Sequence, residues 1–183
     1  MPVTRRAALQ GTAALATLAA APASSPTAWD FEFPSIDEGL LRLADFRGKV
    51  LLVVNTASFC GFTPQFKQLE AAQRALSPRG FSLIGVPSQD FGQESGTNGE
   101  VKAFCEATFG VDFPMAGISH VTGAQAAPFY KWVRAQRRWE PGWNFAKVLI
   151  ARDGSIANTF ASGDLPEAGS VKAAIEKELS RAA

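Results

Sequence analysis

A charge-free, β-branched run from Val50 to Val54, bounded by Gly48 and Asn55, is the feature the rest of the chain must accommodate. A short continuous apolar run with no polar alternation reads as a strand buried on both faces, not as a helix. A polar turn, Asn55 to Ser58, follows it, and then a cysteine, Cys60. Thr63 and Pro64 read as a helix start, with Thr63 capping the exposed amides and Pro64 at the first helical position. Phe62, Phe66, Leu69, Ala72 and Leu76 recur at steps of three and four, and the helix ends before Ser77-Pro78-Arg79-Gly80.

Cys60 therefore sits between the end of a buried strand and the start of a helix. Free backbone N–H groups and the positive end of the helix dipole favour thiolate over thiol at such a point. The competing reading is a small core residue, because unpaired cysteine is often buried. The junction favours a reactive group, since loops at the ends of rigid elements carry function more often than packing.

The 183 residues suffice for one domain with a substantial core. A net charge of +1, with neither a basic block nor an acidic tail, argues against nucleic acid as a partner. Two cysteines, Cys60 and Cys105, and one histidine, His120, exclude a disulfide framework and argue against a Cys/His metal cluster.

Residues 1–28 read as an export signal and not as part of the fold. Thr4-Arg5-Arg6 forms a charged start, and an Ala/Leu stretch without acidic residues runs from Ala7 to Ala21. Ala21-Pro22-Ala23 is a small-x-small cleavage site, and Pro26-Thr27-Ala28 is a second candidate. The paired arginines resemble a twin-arginine signal, although Ala8 stands where Phe is usual. The stretch is too short and too Ala-rich for a good spanning helix. The expectation is an exported protein of the bacterial periplasm with no stable membrane anchor once mature.

Residues 29–183 read as a single domain. Phe31 and Phe33, then Leu41 and Leu43, alternate with polar or small residues around Gly39, which predicts an N-terminal β-hairpin. Phe81 to Val86 is a second buried strand, followed by a polar loop from Pro87 to Gly96. Thr97-Asn98-Gly99-Glu100 has the form of a capping box and opens a helix carrying Val101, Phe104, Cys105 and Thr108 on one side. Another helix runs over roughly 126–136. Two strands, 146–151 and 155–160, flank Asp153-Gly154, and Val171, Ala174, Ile175 and Leu179 mark a last helix. This order predicts an α/β fold, a thioredoxin-like sandwich with a central mixed sheet flanked by helices.

Cys60-Gly61-Phe62-Thr63 is C-x-x-T, so the neighbouring second thiol of a disulfide exchanger is missing and one-thiol chemistry is indicated. The segment NTASFCGFTPQFKQLE, Asn55 to Glu70, resembles the signature of the glutathione peroxidases in their cysteine form. Gly142-Trp143-Asn144-Phe145 is similar to that family's second signature, and Val86 to Glu94 resembles its third. The resemblance spans roughly residues 31–179. It implies a thiol-dependent peroxidase that reduces hydrogen peroxide and organic hydroperoxides through a Cys60 sulfenic acid. It also implies a catalytic tetrad of Cys, Gln, Trp and Asn, with Cys60, Trp143 and Asn144 carried over directly. An indole N–H and an amide N–H suit the stabilisation of a thiolate and the polarisation of a peroxide.

The glutamine is where this chain departs. The family loop reads Pro-Cys-Asn-Gln-Phe, and here it is Pro87-Ser88-Gln89-Asp90-Phe91. A carboxylate beside a thiolate repels it, so Gln89 is expected to reach the site, with Asp90 turned away or bonded to backbone. Gln93 reads as a loop-closing residue. Some relatives resolve the sulfenic acid with a cysteine eight residues before the Pro of a Phe-Pro pair. Cys105 lies nine before Pro114, so Glu106 holds that place and Cys105 reads as core.

The resemblance implies no bound cofactor or metal, only a hydroperoxide substrate and an external thiol reductant, either a thioredoxin-like protein or glutathione. The short stretch from Val133 to Trp143 lacks the insertion that tetrameric glutathione-using relatives carry, so a monomer reduced by a thioredoxin-like protein is expected. The competing reading is a redox-quiet thioredoxin-fold binding or accessory protein, and its best support is the altered glutamine position.

Overall fold

A computed structural model describes residues 25–181, and all but the last few residues of the expected export segment lie outside them. The packed chain begins at Thr27, whose backbone N–H donates to the Asp30 carboxylate at 2.8 Å in a capping box over a single 3-10 turn. Ala28 is fully buried and its N–H donates to the Gly154 carbonyl at 2.8 Å. Cleavage at the second candidate site, after Ala28, would therefore remove a buried residue. Gly154 is required here: at φ +86° a Cβ would lie 2.4 Å from the Trp29 indole nitrogen.

The N-terminal hairpin consists of β1 (Glu32–Pro34) and β2 (Leu40–Arg42), paired antiparallel with Phe33 opposite Leu41. Strand β3 (Val50–Thr56) is buried along its whole length, as its composition requires. It leads through the Cys60 segment into α1 (Gln65–Leu76) and then β4 (Phe81–Pro87). Helix α2 (Asn98–Phe109) starts on the expected capping box, with the Thr97 side chain accepting from the Glu100 N–H, a cap worth about 1 kcal/mol. Helix α3 (Pro128–Arg137), strands β5 (Lys147–Ile150) and β6 (Ile156–Phe160), and α4 (Gly169–Ser180) complete the chain.

The main sheet has the order β4-β3-β5-β6. β4 runs parallel to β3, while β5 and β6 are antiparallel to their neighbours, so the sheet is mixed as expected. Side-chain alternation splits the core in two. Leu51, Val53, Ile84 and Val148 pack with Phe33 of the hairpin and Phe129, Trp132 and Val133 of α3. Val50, Leu52, Val54 and Leu149 pack with Phe66 and Leu69 of α1, Val101 and Cys105 of α2, and Val171 and Ile175 of α4.

This topology places the site. The C-terminal ends of the parallel strands β3 and β4 lie at one edge of the sheet, and the N-terminal end of antiparallel β5 comes to the same edge. The Cys60 turn, the Ser88–Gly96 loop and the Trp143-Asn144 turn therefore converge, although up to 84 residues separate them.

Candidate active site

Between β3 and α1 the chain winds through successive tight turns. Thr63 N–H donates to the Cys60 carbonyl at 3.0 Å and Gln65 N–H to the Phe62 carbonyl at 2.9 Å. Thr63 does not cap α1 as expected; Pro64 occupies the N-cap position and makes no side-chain cap. The Thr63 hydroxyl accepts instead from the Cys60 N–H at 3.0 Å and donates to the Ala57 carbonyl at 2.9 Å. The turn folds the hydroxyl inward before the helix begins, so Thr63 clamps the cysteine. Cys60 is 7% exposed, and its sulfur accepts from the Phe62 N–H at 3.4 Å.

Asn55, at the end of β3, binds the second segment. Its Nδ2 donates to the Trp143 carbonyl at 3.1 Å, and its own carbonyl accepts from the Phe145 N–H at 2.6 Å. Phe145 is left-handed, at φ +64°, which costs a bulky residue about 1–2 kcal/mol. Burial of its ring, edge-on to Phe66 with centroids 5.3 Å apart, offsets that strain. The same turn leaves Asn144 fully buried and Trp143 43% exposed, with the Trp143 ring against Phe91 at 5.3 Å.

The third segment does not deliver the expected glutamine. Gln89 is exposed and its amide donates to the Ser95 carbonyl at 2.8 Å, so its hydrogen bond stays within its own loop. Asp90 is bonded to backbone, one of the two outcomes expected for it. Its carboxylate accepts from the Val121 and Thr122 N–H groups at 2.6 and 3.1 Å and lies 2.6 Å from His120 Nδ1. Burial pushes this carboxyl up, but His120 and the two amides together hold it below its ordinary value.

The residues that cross to the other segments are Gln93 and Glu94, which sequence reasoning did not assign to the site. The Gln93 carbonyl accepts from Phe59 N–H at 2.9 Å, and its side-chain oxygen accepts from Asn144 Nδ2 at 3.0 Å. Glu94 Oε1 accepts from Ser58 N–H at 3.1 Å and from Ser95 N–H at 2.8 Å. Burial raises the Glu94 carboxyl above its ordinary value, against the pull of those bonds. The available signal was Gly92, whose φ of +67° turns the loop back.

Two buried titratable groups lie behind the site. Lys147 is fully buried, with Nζ donating to the Phe145 carbonyl at 2.7 Å and to Gln65 Oε1 at 2.9 Å. Burial lowers its ammonium to about 8. Cys105 lies in the α2 core, 1% exposed, and burial pushes its thiol up to about 12. It is a core residue, as its stripe on the helix suggested. Among the described residues, three of the four exposed large hydrophobic side chains, Phe59, Phe62 and Trp143, belong to the Cys60 and Trp143 turns. The arrangement thus offers a sulfur that accepts one backbone N–H, beside an apolar rim.

The glutathione peroxidase family pattern matches residues 28–134, which include the Cys60 turn and the Gln93 loop. The hydroperoxy fatty acid reductase of Synechocystis sp. is 40% identical over 167 residues, spanning 84% of this chain and 96% of that protein. A glutathione peroxidase of Lactococcus lactis is 37% identical over 144 residues, spanning 76% of this chain and 92% of its own. Among solved structures, the apo crystal structure of Trgpx superposes with a TM-score of 0.68 at 32% identity, covering 86% of this chain and 98% of that one. Fold, motifs and relatives agree: the chain belongs to the glutathione peroxidase family, and it is a thiol-dependent peroxidase with a thioredoxin-like fold.

Proposed function

We propose that Cys60 is the peroxide-reducing nucleophile and that Trp143 and Asn144 supply N–H donors to the reacting atoms. The observation that carries this is the chain of contacts from the Cys60 turn through Gln93 to Asn144, which links the cysteine motif to the donor motif. The thiolate attacks one oxygen of the hydroperoxide and the O–O bond breaks. The sulfur takes that oxygen as a sulfenic acid, and the other oxygen leaves as an alcohol or water after gaining a proton. An external thiol then attacks the sulfenic sulfur, releasing water and forming a mixed disulfide. A second thiol displaces Cys60 and carries the disulfide away. Two thiols and one hydroperoxide thus give one disulfide, one alcohol and one water, with no bound cofactor or metal.

The substrate is a bulky organic hydroperoxide as well as hydrogen peroxide. The exposed Phe59, Phe62 and Trp143 support this, because apolar side chains grouped at a site mark contact with apolar matter. A relative named for hydroperoxy fatty acids points the same way. The electron donor is a thioredoxin-like protein in preference to glutathione. Arginines near the end of α3 would be the means of holding glutathione carboxylates, but two of them are engaged. Arg134 pairs with Glu140 at 3.2 Å, and Arg137 donates to the Ile156 carbonyl. Only Arg138 to Gly142 separate α3 from Trp143, leaving no insertion to build a tetramer, so the protein is a monomer. The paired arginines and Ala/Leu stretch support export through a cleaved leader to the bacterial periplasm.

Steady-state kinetics of the mature chain with each reductant test this reading. The expected result is a kcat/KM at least about tenfold higher with a thioredoxin than with glutathione, from a species that scatters light as a monomer. Higher efficiency with glutathione would overturn the donor assignment.

A further inference from the structure

Lys147 is the one buried basic side chain among the described residues, and none of their carboxylates lies within ion-pair distance of it. An ammonium has three N–H donors, and here three oxygens meet them. They are the Phe145 carbonyl at 2.7 Å, Gln65 Oε1 at 2.9 Å and the Ser162 carbonyl at 3.4 Å. The Gln65 amide is held in that orientation, because its Nε2 donates to the same Ser162 carbonyl at 2.7 Å. Two of these contacts lead to the site. Gln65 opens α1, its N–H donates to the Phe62 carbonyl at 2.9 Å, and the Phe62 N–H donates to the Cys60 sulfur at 3.4 Å. Phe145 closes the donor turn: its N–H donates to the Asn55 carbonyl at 2.6 Å, and Asn55 Nδ2 donates to the Trp143 carbonyl at 3.1 Å. Lys147 thus joins the two turns from behind, apart from the loop after β4.

Stability does not account for a lysine at this place. Replacing a buried charged group by an apolar side chain of similar volume is often neutral or stabilising. The groups around Lys147 do little to offset its burial. Its sheet neighbours are Val54 on β3 and Phe160 on β6, and α1 offers it the neutral Gln65. The buried carboxylates of the flanking helices are engaged elsewhere, Glu70 by Arg74 and the Asp112 N–H, and Glu178 by Arg181. Asp164, in the loop after β6, is the one charged group whose field supports the ammonium, and burial still lowers it to about 8. A neutral amine keeps two N–H donors and turns a lone pair toward the third oxygen, so the hold loosens as pH rises through that value.

We infer that Lys147 is a positioning residue for peroxide reduction: its ammonium holds the start of α1, and with it the Cys60 turn, at a fixed spacing from the Trp143-Asn144 turn. This inference rests on Cys60 as the nucleophile and on that turn as the source of donors.

The test is the second-order rate constant for oxidation of the reduced protein by hydrogen peroxide. Rates are compared at equal Cys60 thiolate, fixed by titrating iodoacetamide alkylation in each variant. Lys147→Met keeps much of the apolar stem and removes all three donors. It is expected to react about tenfold more slowly than wild type at pH 7, with a urea midpoint no lower at that pH. In a Trp143→Phe/Asn144→Ala background the same substitution is expected to cost no more than about threefold, because Lys147 acts through that turn. The wild-type advantage is expected to shrink as pH rises through about 8. Gln65→Glu keeps an acceptor and pairs the ammonium with a carboxylate, so its decline with pH is expected at higher pH than in wild type. That variant decides the question if Lys147→Met does not fold. The assignment would be overturned by a Lys147→Met rate within about threefold of wild type or by a loss that tracks a lower urea midpoint. An undiminished loss in the Trp143→Phe/Asn144→Ala background, a wild-type advantage independent of pH, or an unmoved decline in Gln65→Glu would also overturn it. Wild-type rates in Trp143→Phe/Asn144→Ala, or wild-type peroxide consumption by Cys60→Ser, would overturn the reading beneath this one and this inference with it.

Discussion

Cys60 and Cys105 both count as buried, at 7% and 1% exposure, and both pack in the same apolar cluster, yet their surroundings differ in kind. Cys60 lies in a turn, with its own N–H held by Thr63 and an N–H from Phe62 on its sulfur. Cys105 lies inside a helix, and burial with the nearby Glu94 and Glu106 carboxylates raises its thiol to about 12. At pH 8 its thiolate is then roughly one part in ten thousand. Native protein treated with iodoacetamide at pH 8 should take up one label, at Cys60, and the second only after unfolding. Peptide mass spectrometry showing equal labelling of Cys105 in the folded state would contradict this. Cys60 was legible from its flanks, an apolar run before it and a helical period after it. The roles of Thr63, Gln89 and Gln93 were not. A Thr before Pro reads as a cap until the turn is seen to fold its hydroxyl back onto Cys60. Counting along Pro87-Ser88-Gln89-Asp90 cannot show that a left-handed Gly92 returns the chain two residues later.

Strands and helices were readable because period and composition agree: β3 and β4 carry mostly apolar runs and are buried throughout, and α2 carries its capping box. Strand β5 hides an exception. Its run from Ala146 to Ala151 reads as apolar, but it begins on Lys147, which points to the α1 side and joins the start of β5 to the first residue of α1. Within the strand pattern nothing marks this lysine as buried, because its partners, Gln65 and the Phe145 carbonyl, come from other parts of the chain or from its own turn. The consequence is a pH dependence. Burial lowers the folded-state value to about 8, with the Asp164 carboxylate opposing, while the unfolded value stays near 10.5. A depressed value means the unfolded chain binds more protons between the two, so stability rises with pH across that window. The contribution is fully present above about 10.5 and is lost as pH falls through about 8, with a span on the order of 3 kcal/mol. Urea midpoints of wild type and Lys147→Met, measured from pH 7 to 10.5, should converge or cross in favour of wild type as pH rises. Parallel curves across that range would show that Lys147 is not buried as a strained cation.

At the scale of the whole molecule, function follows from strand direction. Parallel β4 and antiparallel β5 on either side of β3 bring a loop and a turn from distant sequence to the point where Cys60 leaves the sheet. The thioredoxin-like order of elements was legible because each element carried its own signal. The joining of Phe59, Gln93 and Asn144 was not, because it depends on side-chain geometry across three segments. The central claim is that a single thiol, Cys60, takes the peroxide oxygen. The most direct measurement adds one equivalent of hydroperoxide to the reduced protein in the presence of dimedone, a trap for sulfenic acids, and locates the adduct by peptide mass spectrometry. The account predicts one adduct per chain, on the Cys60 peptide, and no peroxide consumption above background by Cys60→Ser. An adduct on Cys105 in place of Cys60, or wild-type peroxide turnover by Cys60→Ser, would contradict it.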